Sequence, residues 1–259
     1  MRAGVTLTQA IIPAILTYSA ECWPGVPKYV LNQVEQTYKQ IIYNIFEIPE
    51  KTSYSAVLME LGLMRIKHVI AKLQISYMAR VVWEMEGSVV HNVIMEEWRV
   101  WGEESTLGLV RSLAMQYGLG DILTNQPDKI QIKKVIRMAH DMEVFRDCFA
   151  SPIVMHREYL RVIDKTPRSW SKMKAQALLA WRTGSLKFRH IWRVYNTKKG
   201  LSSDCVMPLC DGPDNWEHLK VCPWYKTRWS DRFTEESEIA DYIVAVSKER
   251  FDKVKLPLL

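Results

Sequence analysis

Residues 65–83 read RIKHVIAKLQISYMARVVW, and their spacing decides the class of the fold. Ile66, Val69, Ile70, Leu73, Tyr77 and Val81 recur at intervals of three and four, which puts them on one face of an α-helix. Arg65, Lys67, Lys72 and Arg80 fall largely outside that face. The stretch predicts a helix with a core side and a basic side. Upstream, residues 28–46 carry the same signal through Val30, Val34, Tyr38, Ile41, Ile42 and Ile45, and Pro49 ends it. A short helix over 53–61 follows, with Gly62 where a helix C terminus needs a residue tolerant of positive φ. Downstream, residues 129–148 have helical period through Ile132, Val135, Ile136, Met142 and Phe145. Ser169 is placed to cap a helix carrying Trp170, Met173, Ala177 and Trp181 on one side. Thr234 is placed to cap the last helix, whose stripe is Ile239, Tyr242, Ile243 and Val246. Glu235, Glu236 and Glu238 sit near the positive end of that helix and Lys248 and Arg250 near its negative end.

Composition agrees with a mainly α fold. The chain has 259 residues, 48% of them hydrophobic, with 12 Met and 10 Trp but only 11 Gly and 11 Pro. A disordered chain, a collagen-like chain and a turn-rich β-sandwich are all disfavoured by that balance. The length suffices for one large or two modest domains with a buried core. The net charge of +6 is unevenly spread. Residues 81–128 hold eight acids against Arg99 and Arg111, whereas residues 157–200 hold twelve basic residues against two acids. The first segment also contains Gly87, Gly102, Gly108, Gly118 and Gly120, so it reads as short helices with flexible joints. The second is a local field that favours a polyanion. The expected order is a helical region over 1–83, an acidic jointed linker over 84–128, a helical region with the basic segment over 129–200, a small zinc knuckle over 201–225 and a terminal helix over 226–259.

Arg2 followed by the apolar residues 10–16 and Ser19-Ala20 imitates a secretory signal. Thr6, Thr8 and Gln9 dilute the segment and Pro13 interrupts it. Five cysteines with three in one cluster do not form a disulfide framework, so an intracellular, reducing compartment is expected, with Cys22 and Cys148 as buried thiols. No run of 18 apolar residues exists, and no membrane partner is expected.

The residues richest in chemistry are Cys205, Cys210, His218 and Cys222, in the pattern C-x4-C-x7-H-x3-C. Tetrahedral zinc takes four thiolate or imidazole donors, and short spacing within each pair lets one turn present both members. The residues 211–215 between the pairs, Asp-Gly-Pro-Asp-Asn, are turn-forming. Four protein ligands fill the shell, so the Zn2+ expected here is structural and no catalytic site is expected. Just upstream, residues 181–199 interleave cations with rings. Arg182, Lys187, Arg189, Arg193, Lys198 and Lys199 are the candidate phosphate contacts of an RNA or DNA partner. Phe188, Ile191, Trp192 and Tyr195 also sit at helical spacing, which suits a buried face as well as base stacking.

Two regions carry a family resemblance. Residues 13–23, PAILTYSAECW, followed by a long helix and residues 56–63, AVLMELGL, resemble the region just after the palm of non-long-terminal-repeat retrotransposon reverse transcriptases, with its helical thumb. Residues 178–184, LLAWRTG, and the segment from His218 to Tyr225 resemble the arginine-glycine element and CCHC zinc-binding segment at the C terminus of those polyproteins. The family's first two cysteines usually stand two residues apart, whereas this chain has Met207 in that place, so either Cys205 substitutes or the site has decayed. The resemblance implies a thumb-like region over 1–83, nucleic-acid binding and a nuclear location. It also implies no polymerase activity, because the paired magnesium-binding aspartates of the palm have no counterpart in this sequence. Two other readings stand beside it: a helical interaction protein whose acidic middle docks a protein partner, and a translated remnant without function.

Overall fold

The computed structural model describes residues 2–50, 52–150, 172–183, 186, 210, 212, 216–223, 225 and 236–254. Every regular element among them is helical. The chain divides into two compact units, one of residues 2–47 and 61–150, the other of residues 48–60 and 151–259.

In the first unit, α1 (Arg2–Thr6), a π-helical turn (Leu7–Ile11) and α2 (Ile12–Leu16) lead into α3 (Lys28–Phe46). The buried Tyr38 of α3 donates its hydroxyl to the carbonyl of Thr8 at 2.9 Å, tying the two together. The quoted stretch forms α5 (Ile66–Glu84), and Gly62 before it takes the expected positive φ of 64°. α5 packs against α3, α7 (Thr106–Gln116) and α8 (Lys129–Ala150). With neighbours on several sides it buries more than one stripe: Ile70, Ile75, Met78 and Val81 are core, and His68 and Gln74 are buried with them. Gln74 meets its polar demand by donating to the carbonyl of Ala20 at 3.1 Å. Val69 and Leu73, expected in the core, are half-buried.

The acidic segment is not a jointed linker. Its helices α6 (Val89–Trp101) and α7 belong to the first unit, and Leu107, Val110, Ala114, Leu119 and Ile122 share one core with Ile75, Met78 and Val81 of α5 and Ile132 and Ile136 of α8. Its two arginines are both paired within the segment. Arg111 grips Asp121 at 2.7 and 2.9 Å and also reaches Glu103, while Arg99 pairs with Glu96 at 2.6 Å. The Ser88 and Ser105 hydroxyls cap α6 and α7, accepting from His91 N and Gly108 N. Gly108 is required by close approach, because a Cβ there would lie 2.5 Å from the backbone of Glu103.

On α8 the buried line runs every four residues, through Ile132, Ile136, His140, Val144 and Cys148. Met142 and Phe145, expected on that face, are 71% and 45% exposed. The helix meets α5 along an interval of four rather than an alternation of three and four, and its polar His140 occupies a core position. Cys22, expected as a buried thiol, is exposed.

The second unit contains residues 54–60 of α4 (Tyr54–Leu61), together with α9 (Lys172–Arg182), α10 (Trp216–Val221) and α11 (Glu236–Val254). α9 packs along α11, with Lys174 Nζ 2.5 Å from Asp241 Oδ2. Ala177 and Trp181 are buried on α9, and Tyr242, Ile243 and Val246 on α11, as their periodicity predicts. Met173 departs from the pattern at 44% exposure. The expected caps Ser169 and Thr234, and Trp170, lie outside the described residues. No described helix is long and apolar enough to cross a membrane.

Candidate metal centre

Cys210, His218 and Cys222 converge in the second unit, with one donor atom from each within 4.8 Å of the others. His218 lies on α10 and Cys222 directly follows it, four residues on, so one helical turn presents both. The amide of Cys222 donates to the carbonyl of His218 at 2.7 Å and holds that turn closed beyond the last helical residue. Tyr225 N in turn donates to the carbonyl of Cys222 at 2.9 Å, anchoring the chain after the site on a buried ring. Cys210 arrives from the other side, its Sγ 3.1 Å from His218 Nε2 and 3.7 Å from Cys222 Sγ. That sulfur separation is far longer than a disulfide bond of about 2.05 Å, so the two cysteines are not disulfide-bonded.

Gly212 completes the cluster by having no side chain. A Cβ at that position would overlap Cε1 and Nδ1 of His218, so the imidazole lies directly on the glycine backbone. Cys222 is fully buried, and Cys210 and His218 are half-buried. Three thiol and imidazole donors on one point, one of them shielded from water, form a group that could hold a metal ion. The expected fourth ligand, Cys205, lies outside the described residues.

Of the six candidate phosphate contacts, Lys187, Arg189, Arg193, Lys198 and Lys199 lie outside the described residues. Arg182 is described, and its expected role is corrected. Its side chain is 3% exposed, and Nε donates to Glu60 Oε1 at 2.8 Å, where Glu60 is itself fully buried. A guanidinium spent on a buried carboxylate is not offered to a phosphate. The sequence signal was available in Glu60, a lone acid inside the apolar run 56–63, which needs an internal cation if its face is buried.

A polar cluster in the first unit escaped sequence reasoning altogether. His68 lies between Tyr117 and Glu143, with Nδ1 2.7 Å from the Tyr117 hydroxyl and Nε2 3.0 Å from Glu143 Oε2. A carboxylate accepts, so Nε2 carries the proton and Tyr117 donates to Nδ1. Lys67 Nζ is 2.7 Å and Arg65 Nε 3.3 Å from the other oxygen of Glu143, and Arg65 also pairs with Asp147 at 2.6 Å. Burial pushes Glu143 up, but its bonds and charges from Lys67, Arg65 and His68 outweigh that and hold it below the usual carboxylate range. Burial lowers His68 despite Glu143, and burial, with the charge of Glu143, pushes the Tyr117 phenol up to about 12. His140 stands edge-on to His68 at 5.4 Å between ring centres. Its Nε2 donates to the Leu63 carbonyl at 3.0 Å and its Nδ1 faces the Arg65 amide at 3.4 Å. The groups lie on α5 and α8 or at the ends of α5 and α7, far apart in sequence, and no local motif joins them. Comparison with known proteins finds no match to any family model, curated protein or solved structure.

Proposed function

We propose that this chain is a zinc-stabilised helical module that binds RNA or DNA, and that it corresponds to the C-terminal part of a non-long-terminal-repeat retrotransposon reverse transcriptase, without polymerase activity of its own. The observation that carries the reading is the Cys210–Cys222 sulfur separation of 3.7 Å. Two thiolates on a tetrahedral zinc at about 2.3 Å each stand about 3.8 Å apart, so the thiols already hold the spacing that the metal imposes. The spacing from Cys210 to His218 Nε2, 3.1 Å, is shorter than the equivalent edge of about 3.5 Å, and the cluster opens slightly to admit the ion. Cys205 is the fourth ligand in this reading. Zinc bound there supplies folding energy to a short segment that has little apolar surface to bury.

Nucleic acid is the partner that twelve basic residues within 157–200 favour, five of the proposed contacts being Lys187, Arg189, Arg193, Lys198 and Lys199. Binding is then mainly to phosphate, with affinity that falls steeply as salt rises. Two measurements test the reading. Metal analysis of the purified chain is expected to find one zinc, lost in Cys210→Ser and in His218→Ala. Filter binding at low salt is expected to retain RNA or DNA, with retention lost when Arg189 and Arg193 are both changed to Glu. A parent protein without zinc, or one that retains no nucleic acid, overturns the corresponding half.

A second reading, a protein-interaction role for the acidic segment, has its own observation. α6 buries none of its residues, and Val89, Val93 and Val100 share an exposed face at 78%, 61% and 60% exposure. Single exposed apolar residues are ordinary, whereas a stripe along one helix is a common mark of an interface. Co-purification of a partner that is lost on Val93→Glu, with nucleic-acid retention absent, is the result that favours it.

A further inference from the structure

The first unit contains an open groove of about 640 Å3 that takes no part in the metal or nucleic-acid reading. Trp23 and Val26 of the loop before α3, Ile70 and Ala71 of α5 and Leu113 of α7 give it an apolar lining. Tyr117, His68 and Glu143 line it too, so a hydroxyl, an imidazole and a carboxylate joined in series border a space sized for a small organic ligand.

A hydroxyl becomes a nucleophile when a base lies within hydrogen-bond reach and a third group orients that base. The Tyr117 hydroxyl donates to His68 Nδ1 at 2.7 Å, and His68 Nε2 donates to Glu143 Oε2 at 3.0 Å. The ring is thereby held in the tautomer whose lone pair faces the phenol. The protonation states suit the same task. Burial, against the pull of Glu143, lowers His68 from its ordinary 6.5, so the ring is neutral and able to accept at pH 7. Glu143, despite its burial, is held ionised by Lys67, Arg65 and His68. Burial, with the charge of Glu143, pushes Tyr117 up to about 12, but a proton that leaves for His68 while the new bond forms requires no free phenolate. The groups facing His68 are Glu143 and His140 of α8, Tyr117 at the end of α7, and Arg65 and Lys67 at the start of α5; Glu35 of α3 accepts from the Lys67 amide at 3.3 Å. Arg65 and Lys67 oppose a charge on the imidazole, which places the assistance at the low end of general-base catalysis, about 100-fold.

We propose that Tyr117 is a nucleophile that accepts an acyl group from an ester whose apolar acyl chain lies in the groove, with His68 as its general base and Glu143 positioning His68. Tyr117 Oη attacks the ester carbonyl carbon, the phenol proton passes to His68 Nδ1, and the bond to the leaving oxygen breaks. The leaving group departs as an alcohol, or as an aryloxide with the proton released to water, and the acyl group remains as an ester of Tyr117. The site is independent of zinc and of the basic segment, and its test leaves both untouched.

The probe is p-nitrophenyl butyrate, incubated with the full chain while peptide mass spectrometry follows the butyryl ester on each tyrosine. Tyr117 is expected to acylate at a rate that is level above about pH 6.5, because His68 is already neutral there. A phenol without a base reacts as its phenolate, at a rate that climbs about tenfold per pH unit up to about pH 10. Tyr18, 79% exposed, is that reference within the same chain. His68→Gln should slow Tyr117 about 100-fold. Glu143→Gln should slow it and move the acid limb of the profile to lower pH, because the hydrogen bond and the charge of Glu143 both raise His68. The p-nitrophenyl acetate ester should react several-fold more slowly, having less apolar surface to bury. Three results overturn the nucleophile: no butyryl ester on Tyr117, a Tyr117 rate that climbs with pH in step with Tyr18, or a parental rate in a His68→Gln variant of parental helicity. If that variant does not fold, the pH profile of the parent decides. An unmoved acid limb in Glu143→Gln overturns the positioning role, and equal rates for acetate and butyrate overturn the place of the acyl chain.

Discussion

At the scale of single residues, three positions in unusual surroundings make sharp predictions. His140 is fully enclosed, and burial, followed by the charges of His68 and Arg137, lowers its pKa from 6.5 to about 4. The unfolded chain therefore takes up the proton first as pH falls. The contribution is intact above pH 6.5 and is lost progressively until pH passes the folded value, with about 2 kcal/mol gone by about pH 5. Hydrogen exchange of α8 amides at the two pH values measures this, and His140→Gln is expected to flatten the dependence. Arg182 and Glu60 form a pair in which either partner alone is a buried charge. Arg182→Met or Glu60→Gln should cost about 3 to 5 kcal/mol in denaturant unfolding, and the double change to Met and Leu should recover most of it. Gly212 must remain without a side chain for His218 to keep its place. Gly212→Ala should weaken zinc affinity about 10- to 100-fold in a competition titration, the range seen when a group that orients a metal ligand is altered. Of these residues, only those of the Cys/His cluster were legible in the sequence, because such a cluster has local spacing. The partners of Arg182 and His140 stand 122 and 77 positions away.

At the scale of elements, periodicity located the helices well and their faces less well. The expected spans for α3, α4, α5 and α8 agree with the observed ones to within a residue or two, since each has an apolar repeat and α3 and α4 are followed by Pro49 and Gly62. The faces shifted where a helix has several neighbours, as in α5, or meets its neighbour at an interval of four, as in α8. The glycines of the acidic segment show the same limit of local reading. They look like flexible joints in sequence, yet Gly108 is packed on the backbone of Glu103. An alanine is worth about 1 kcal/mol more than glycine inside an exposed helix. At Gly108 the sign should reverse, with Gly108→Ala losing about 1 to 3 kcal/mol through overpacking, as read from thermal unfolding against a Ser112→Ala control. An unchanged or raised midpoint would show that α7 can slide away from Glu103.

At the scale of the whole molecule, the chain divides into two units, and the acidic segment lies within the first. Chelation of the proposed zinc should therefore act unevenly, with amide protection lost around α10 while α5 and α8 keep theirs in hydrogen exchange. Uniform loss would mean that the first unit depends on the metal as well. The sequence by itself determined the helical class, the helix positions, the charge gradient and the ligand pattern, because each is set by residues close together along the chain. Only the tertiary structure decided that the acidic segment joins the main core, that Arg182 serves Glu60, that His68 links Tyr117 to Glu143, and that a cavity lies beside them. These depend on which helix faces which. That choice is made by the joint burial of many side chains and the pairing of every buried charge, and no single stretch of sequence carries it.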